Sequence, residues 1–297
     1  MTIKTTSFSP DNQTATQDTI VPPTIIIEPT RGWAALQLTA VWEYRELLYF
    51  LVWRDVKVRY KQTALGILWI LLQPLVSMLI FAVLFGVILK VPSDGAPYPI
   101  FAYTALLPWQ YFAGALTRSS TNLVDSAHLI TKVYFPRLII PLSGVVSGLV
   151  DFGVAFVILM GLMIFYGIAP TVTVLWLPAF MLLALITALG FGLWLSALNV
   201  RFRDIKHLIP FIVQIWMYVT PVIYGSTLIP ERFRWLLALN PMTSVVEGFR
   251  WALLGNQLTN NIAANGLFFV SIAIALLVLV SGAIFFRATE RVFADII

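Results

Sequence analysis

The amino-acid sequence predicts an all-α integral membrane protein with about six transmembrane helices per subunit. Three observations carry that expectation. Hydrophobic residues make up 59% of the 297 positions, against roughly 45–50% in a soluble domain. Charged residues are 11% and mean hydropathy is +0.88; about 25% charge is ordinary for a soluble surface. Uncharged runs recur along the chain, and at about 20 apolar residues per span the length accommodates about six spans with their loops. There is no Cys, which excludes disulfides, thiol nucleophiles and Cys-ligated metal sites.

The elements follow in order. Residues 1–30 are rich in Thr, Pro, Asn and Gln and lack the basic and apolar regions of a signal peptide. Residues 1–40 are therefore expected to be a disordered cytoplasmic tail. Residues 41–62 are expected to be an amphipathic helix in the interface plane. Glu43, Glu46, Arg54, Lys57 and Lys61 fall within about 80° of one another at 100° per residue. Trp42, Tyr44, Tyr49, Trp53 and Tyr60 suit the headgroup level.

Residues 63–290 then read as a six-span domain. The spans are expected at 65–89, kinked at Pro74, at 99–117, interrupted by Pro108, and at 138–165, 174–198, 208–224 and 266–286. Residues 118–137 and 199–207 read as polar, basic loops. The longer 225–265 loop holds two apolar runs, Pro230 to Leu239 and Pro241 to Leu254. Pro suits a first helical position, Asn240 suits a cap and Gly255 a stop. Both runs are too short to cross, so they are expected to be re-entrant or interfacial gate helices on the outer side. Residues 291–297 form a short cytoplasmic tail.

Lys and Arg near span ends set the orientation. One side carries thirteen: Arg45, Arg54, Lys57, Arg59, Lys61, Arg118, Lys132, Arg137, Arg201, Arg203, Lys206, Arg287 and Arg291. The other carries four: Lys90, Arg232, Arg234 and Arg250. Both termini are expected in the cytoplasm, and an even number of spans agrees.

The chemistry is that of a passage rather than a catalyst. The chain has neither G-x-x-x-x-G-K-[ST] nor G-x-G-x-x-G, so no nucleotide site of those kinds is expected on it. His128 and His207 stand apart, so no metal site is expected, and no paired acids suggest catalysis. Asp151 is the one acid inside an expected span. Such residues face the bundle interior or water, so it lines a conduit, bridges the bundle, or is a locally bonded structural group. A lone acid argues against a proton-driven pump. Tyr103, Trp109, Tyr111, Phe112, Trp216 and Tyr218 lie in or near spans. Their broad faces suit a sliding sugar chain; packing in the core or against lipid is the other reading.

Four blocks resemble the type-2 ABC exporter permeases for polysaccharides: RYKQTALGILWILLQPL (59–75), KVYFPRLIIPLSGVVSGLVDF (132–152), NVRFRDIKH (199–207), and TPVIYG (220–225) with LNPMTSVVEGFRWALLG (239–255). That family includes O-antigen, capsule and teichoic-acid exporters, and the resemblance covers roughly residues 40–290. It implies a homodimer in the bacterial inner membrane and a lipid-linked glycan as cargo. It also implies two copies of a separate ATPase subunit that bind the ATP and Mg, leaving this chain without a cofactor. On that basis Asp125, His128, Lys132, Arg201, Arg203 and Asp204 are expected to meet the ATPase. Arg54, Lys57 and Arg59 are expected to draw in a phosphate-bearing lipid headgroup. An exporter of a lipid or drug is the nearest alternative. A glycan-modifying membrane enzyme lacks the clustered acids it would need, and a secondary transporter lacks an obvious internal repeat.

Overall fold

Hydrocarbon offers a backbone no hydrogen-bond partner, so apolar segments of this length pair their own N–H and C=O groups as helices. The computed structural model describes residues 38–61, 66–130, 132, 135–255 and 266–296, and every longer element among them is helical. The expected tail, as far as residue 37, and residues 256–265 of the expected gate-helix loop lie outside the described residues.

Helix α1 (Leu38–Glu43) and α2 (Arg45–Lys61) replace the expected single interface helix, with a break at Tyr44. α3 (Gly66–Phe81) contains Pro74 and runs on through Ala82–Ile88 as wider π-type turns, Leu89 N–H donating to Leu84 O at 2.9 Å. α4 (Tyr98–Asp125) is continuous through Pro108, and α5 (Ala127–Ile130) follows. Then come α6 (Ile139–Phe165), a 3-10 turn at Val172–Trp176, α7 (Leu177–Arg201) and α8 (Ile205–Val219). A second 3-10 turn (Ser226–Leu228), α9 (Glu231–Ala238), α10 (Pro241–Leu254) and α11 (Leu267–Ile296) complete the described chain.

α4 is the centre of the bundle, packed by α3, α6, α7 and α10. This corrects the expected loop at 118–137, which is helical as far as Asp125 and again in α5. Its polarity misled because polarity signals a loop only where the alternative is lipid. Here the polar turns are covered by protein, and three hydroxyls are satisfied within the helix, the buried Ser119 Oγ being an exception. Thr117 donates to Ala113 O at 2.8 Å, Ser120 to Leu116 O at 2.7 Å and Thr121 to Thr117 O at 3.1 Å.

The expected loop at 199–207 likewise shrinks to residues 202–204 between α7 and α8. The expected fifth span to residue 224 stops at Val219. Pro221 pushes Thr220 out of the helical region, to ψ 136°. Among the described residues, four helical stretches are long and apolar enough to cross a membrane: 71–88, 139–165, 172–201 and 268–290. α4 and α8 stand where the other two spans were expected. α4 is long but polar in its second half, and α8, with 15 residues, rises only about 22 Å.

Close approach is bought with glycine. A Cβ at Gly144 on α6 would sit 3.0 Å from the Arg118 and Ser119 backbone of α4. A Cβ on Gly190 of α7 would sit 2.8 Å from the Leu279 backbone N of α11. Just below, Trp194 stacks on Phe285 with centroids 4.1 Å apart and donates to Ser281 Oγ at 3.2 Å. Gly190→Val is expected to pry α7 from α11, because backbone cannot give way as a side-chain tip can. The expected cost is about 1–3 kcal/mol, visible as a lower midpoint in detergent thermal unfolding, whereas Gly153→Ala, with open space around it, leaves the midpoint unchanged.

Candidate functional site: a lined cavity between two polar junctions

Helices α3, α4, α6 and α8 line an open cavity of about 710 Å³. Trp109 and Tyr111 from α4 and Phe152 from α6 give it aromatic walls, and Arg118 and Asp151 line it as well. Tyr111 and Phe152 meet edge to face at 6.1 Å.

Asp151 is the knot of the inner junction. Its Oδ1 accepts from the Tyr60 hydroxyl at 2.8 Å, its Oδ2 accepts from Arg59, and the Arg118 guanidinium lies 3.7 Å away. Arg59 also donates to Ser147 Oγ at 3.0 Å, and Arg118 to Gly144 O at 3.1 Å. Asp55, one turn earlier on α2, accepts from Asn122 at 3.2 Å and pairs with Arg54 at 2.9 Å. α2 is thus fastened to α4 and α6 by charge as well as by the buried Leu51 and Val56. Burial, then the hydrogen bond to Asp151, holds the Tyr60 phenol well above its ordinary range. The outward face of this region is aromatic: Trp42, Tyr49, Phe50 and Trp53 are exposed.

The outer junction was not foreseen. Arg250 stood among the flanking charges in the orientation count, yet its side chain is 1% exposed. Its guanidinium donates to Pro221 O at 2.7 Å, Val222 O at 2.8 Å and Tyr224 O at 3.2 Å, pairs with Glu247 at 3.3 Å, and sits 3.7 Å over the Phe101 ring. The Tyr98 hydroxyl takes Ile223 O at 2.6 Å. The non-helical stretch after α8 therefore has its carbonyls claimed by side chains. Asn240 caps α10, accepting from Met242 N at 3.1 Å, as expected, and also accepts from Trp216 Nε1 at 2.9 Å. Gly255, at φ +97°, ends that helix. Burial pushes the Glu247 carboxyl up, while Arg250 and Ser226 draw it back down. A signal existed: Glu and Arg three apart in an otherwise apolar 14-residue run have little to pair with but each other and exposed backbone.

The expected conduit residues separate into three groups. Trp109, Tyr111 and Asp151 line the cavity. Tyr103 and Phe112 are fully buried behind it. Tyr103 donates to Ala155 O at 3.1 Å, and Phe112 packs against Trp216 at 4.9 Å. Trp216 and Tyr218 lie on α8 outside the lining, Trp216 half-buried and donating to Asn240, Tyr218 exposed. Of the expected headgroup residues, Arg59 belongs to the inner junction, Arg54 leans on Asp55 and Lys57 is exposed. Of the expected ATPase contacts, His128, Lys132, Arg201, Arg203 and Asp204 are exposed. Asp125 reaches Lys206 at 3.6 Å, which ties the end of α4 to the start of α8.

The family profile of the ABC-2 type transporter matches residues 46–254, a stretch that runs from α2 through α10. The chain belongs to that family. An O-antigen export system permease protein from Myxococcus xanthus is 37% identical over 210 residues, 69% of this chain and 79% of the relative. One from Klebsiella pneumoniae is 33% identical over 202 residues, 68% and 77% of the two chains. A polysialic acid transport protein from Escherichia coli is 22% identical over 217 residues, 71% and 83%. This ABC-2 chain is a multi-pass membrane transport subunit rather than an enzyme.

The two junctions differ in what their loss does. Arg250→Met strands the Glu247 carboxylate and three carbonyls in a dry site. The expected cost is about 3–5 kcal/mol, with folded protein lost from detergent extracts; Arg250→Lys, lacking the fork, falls between. Asp151→Asn leaves Arg59 and Arg118 facing each other without an acid. It is expected to free α2 while sparing the bundle, seen as faster trypsin cleavage after Lys57 and Lys61 at an unchanged thermal midpoint.

Proposed function

We propose that the chain is the channel-forming subunit of an ATP-driven exporter that moves a lipid-linked, O-antigen-like polysaccharide across the bacterial inner membrane. The observation that carries this is the aromatic-walled cavity between four helices in a chain 33–37% identical to two O-antigen export permeases over two thirds of its length. A long glycan needs broad faces to slide along and few contacts it cannot leave.

Force comes from outside the chain, through two copies of a separate ATPase subunit docked on the cytoplasmic side. The exposed Arg201, Arg203 and Asp204 beside the Asp125–Lys206 pair support a docking surface there. Motion at that surface passes to α4, α7 and α8, which move as rigid bodies. The working unit is a homodimer. In support, α3 and α8, which flank the cavity, leave Leu79, Ile80, Phe211 and Ile215 uncovered, a face that lipid or a second copy covers. The lipid-linked end of the cargo is gathered from the cytoplasmic leaflet by Arg54, Lys57 and Arg59, with both termini on that side.

Two measurements test this. Co-expression with a partner ABC ATPase subunit in a strain lacking its own permease is expected to restore surface glycan. Arg203→Glu together with Asp204→Lys is expected to cut both ATPase co-purification and surface glycan by more than 5-fold while leaving membrane insertion normal. Full export by that variant removes the docking site. In intact cells with a permeable outer barrier, Cys at the exposed Glu231 is expected to react with an impermeant thiol reagent and Cys at the exposed Asp125 to stay unlabelled; the reverse pattern inverts the orientation.

A further inference from the structure

Three glutamines face the cavity, one from each of three helices: Gln73 of α3, Gln110 of α4 and Gln214 of α8. Each lies in an otherwise apolar stretch, LLQPL, PWQYF and IVQIW. An amide within a span is costly unless it meets a partner or water. None of the three forms a hydrogen bond with another described residue. Gln73 and Gln214 are exposed and Gln110 is half-buried, so three amides from separate helices stand open on one space, which suits a hydrogen-bonding occupant.

The charge of the wall says what kind. Arg118 and Asp151 are the charged residues lining the cavity, they are opposite in sign, and they lie 3.7 Å apart. Arg59 reaches the same carboxylate from α2. Among the described residues no cationic track runs along the rest of the wall, and a second copy of the chain brings the same residues. A polymer with a carboxylate on every unit would lose hydration here with nothing to replace it. A sugar hydroxyl both donates and accepts. An amide offers two N–H donors and two acceptor lone pairs, and the half-buried Phe152 ring on the same wall supplies an apolar face for the C–H side of a sugar ring.

We infer that the cavity passes a glycan whose repeating units are uncharged, and that Gln73, Gln110 and Gln214 are the groups that meet its hydroxyls. The inference rests on the exporter reading above and sharpens it to a cargo class. It sets this chain apart from the relative whose printed name is that of a polysialic acid carrier, an acidic polymer.

The chain has no Cys, so single cysteines report cleanly. Gln73→Cys, Gln110→Cys and Gln214→Cys are placed in the full chain, paired with its ATPase in lipid nanodiscs, and treated with a small uncharged methanethiosulfonate. All three are expected to react, and Leu277→Cys, exposed on α11 away from the cavity, is expected to stay slow. Maltoheptaose at millimolar concentration is expected to slow labelling at the three positions at least 3-fold, and a sialic acid pentamer is expected not to. Cysteines that fail to react, that neutral sugar leaves unprotected, or that the acidic oligomer protects equally well overturn the inference.

Export supplies a second readout, for a case in which a cysteine disturbs folding. The triple Gln→Met variant, similar in volume, is expected to lose at least 5-fold in surface neutral glycan, and the triple Gln→Asn variant to keep most of it. Equal export by both overturns the role of the amides. A wild type that yields no ATPase-dependent surface glycan overturns the exporter reading itself. Unprotected cysteines in a protein that does export overturn the neutral-cargo inference alone.

Discussion

Every backbone polar group in this bundle must find a partner without help from its solvent, and the rest of the architecture answers to that requirement. Most of the chain meets it by staying helical. The exception is the stretch from Thr220 to Gly225, where Pro221 breaks the pattern. There the Arg250 fork and the Tyr98 hydroxyl do what helix hydrogen bonds do elsewhere, taking the carbonyls of Pro221, Val222, Ile223 and Tyr224. A guanidinium suits the task because it offers five donors in a fixed plane. The charge this brings into the dry interior is balanced by Glu247 at 3.3 Å and shielded by the Phe101 ring. The outer short helices α9 and α10 thus hang from a rigid corner rather than a slack loop.

The inner junction obeys a different logic. Asp151 faces both the cavity and the interface helix, so a change on one side is felt on the other. Its partners come from α2 and α4. The pairs here are half-buried, and such pairs cost less to break than the fully buried Glu247–Arg250 pair. Glycine makes this junction compact: at Gly144 a Cβ would press on the α4 backbone at 3.0 Å, and at Gly148 it would meet the Arg118 guanidinium and the Tyr111 ring.

Much of the site could be seen before the fold. Asp151 stood out as the one acid in an expected span, and Trp109 and Tyr111 as span aromatics, and all three line the cavity. Tyr103 and Phe112 carried the same signal, yet they point behind the wall, because residue type says nothing of which side of a helix meets a neighbour. The Gly144–Gly148 spacing is a small-residue motif that marks a close helix contact, and it lay unused in GVVSG. The three glutamines drew no notice because they stand at positions 73, 110 and 214, with nothing in the linear order to group them.

Composition and periodicity by themselves determined that the chain is helical and membrane-embedded. They also placed α3, α6, α7 and the start of α11 near their observed bounds, because a span of lipid-facing residues must be apolar over a fixed thickness; α11 itself runs on to Ile296, through the expected tail, because a helix can continue past the apolar stretch. Local chemistry determined the Asn240 cap and the Gly255 stop of α10, since both depend only on neighbouring backbone. Tertiary structure decided the rest. Polar Arg118 to Asp125 became helix because protein, not lipid, surrounds α4. Arg250 went from an expected flanking charge to the most deeply buried cation among the described residues, because broken backbone lay within reach of its fork. Whether a polar residue in an apolar segment is surface, staple or lining depends on what the other helices bring beside it, and that is settled only when they pack.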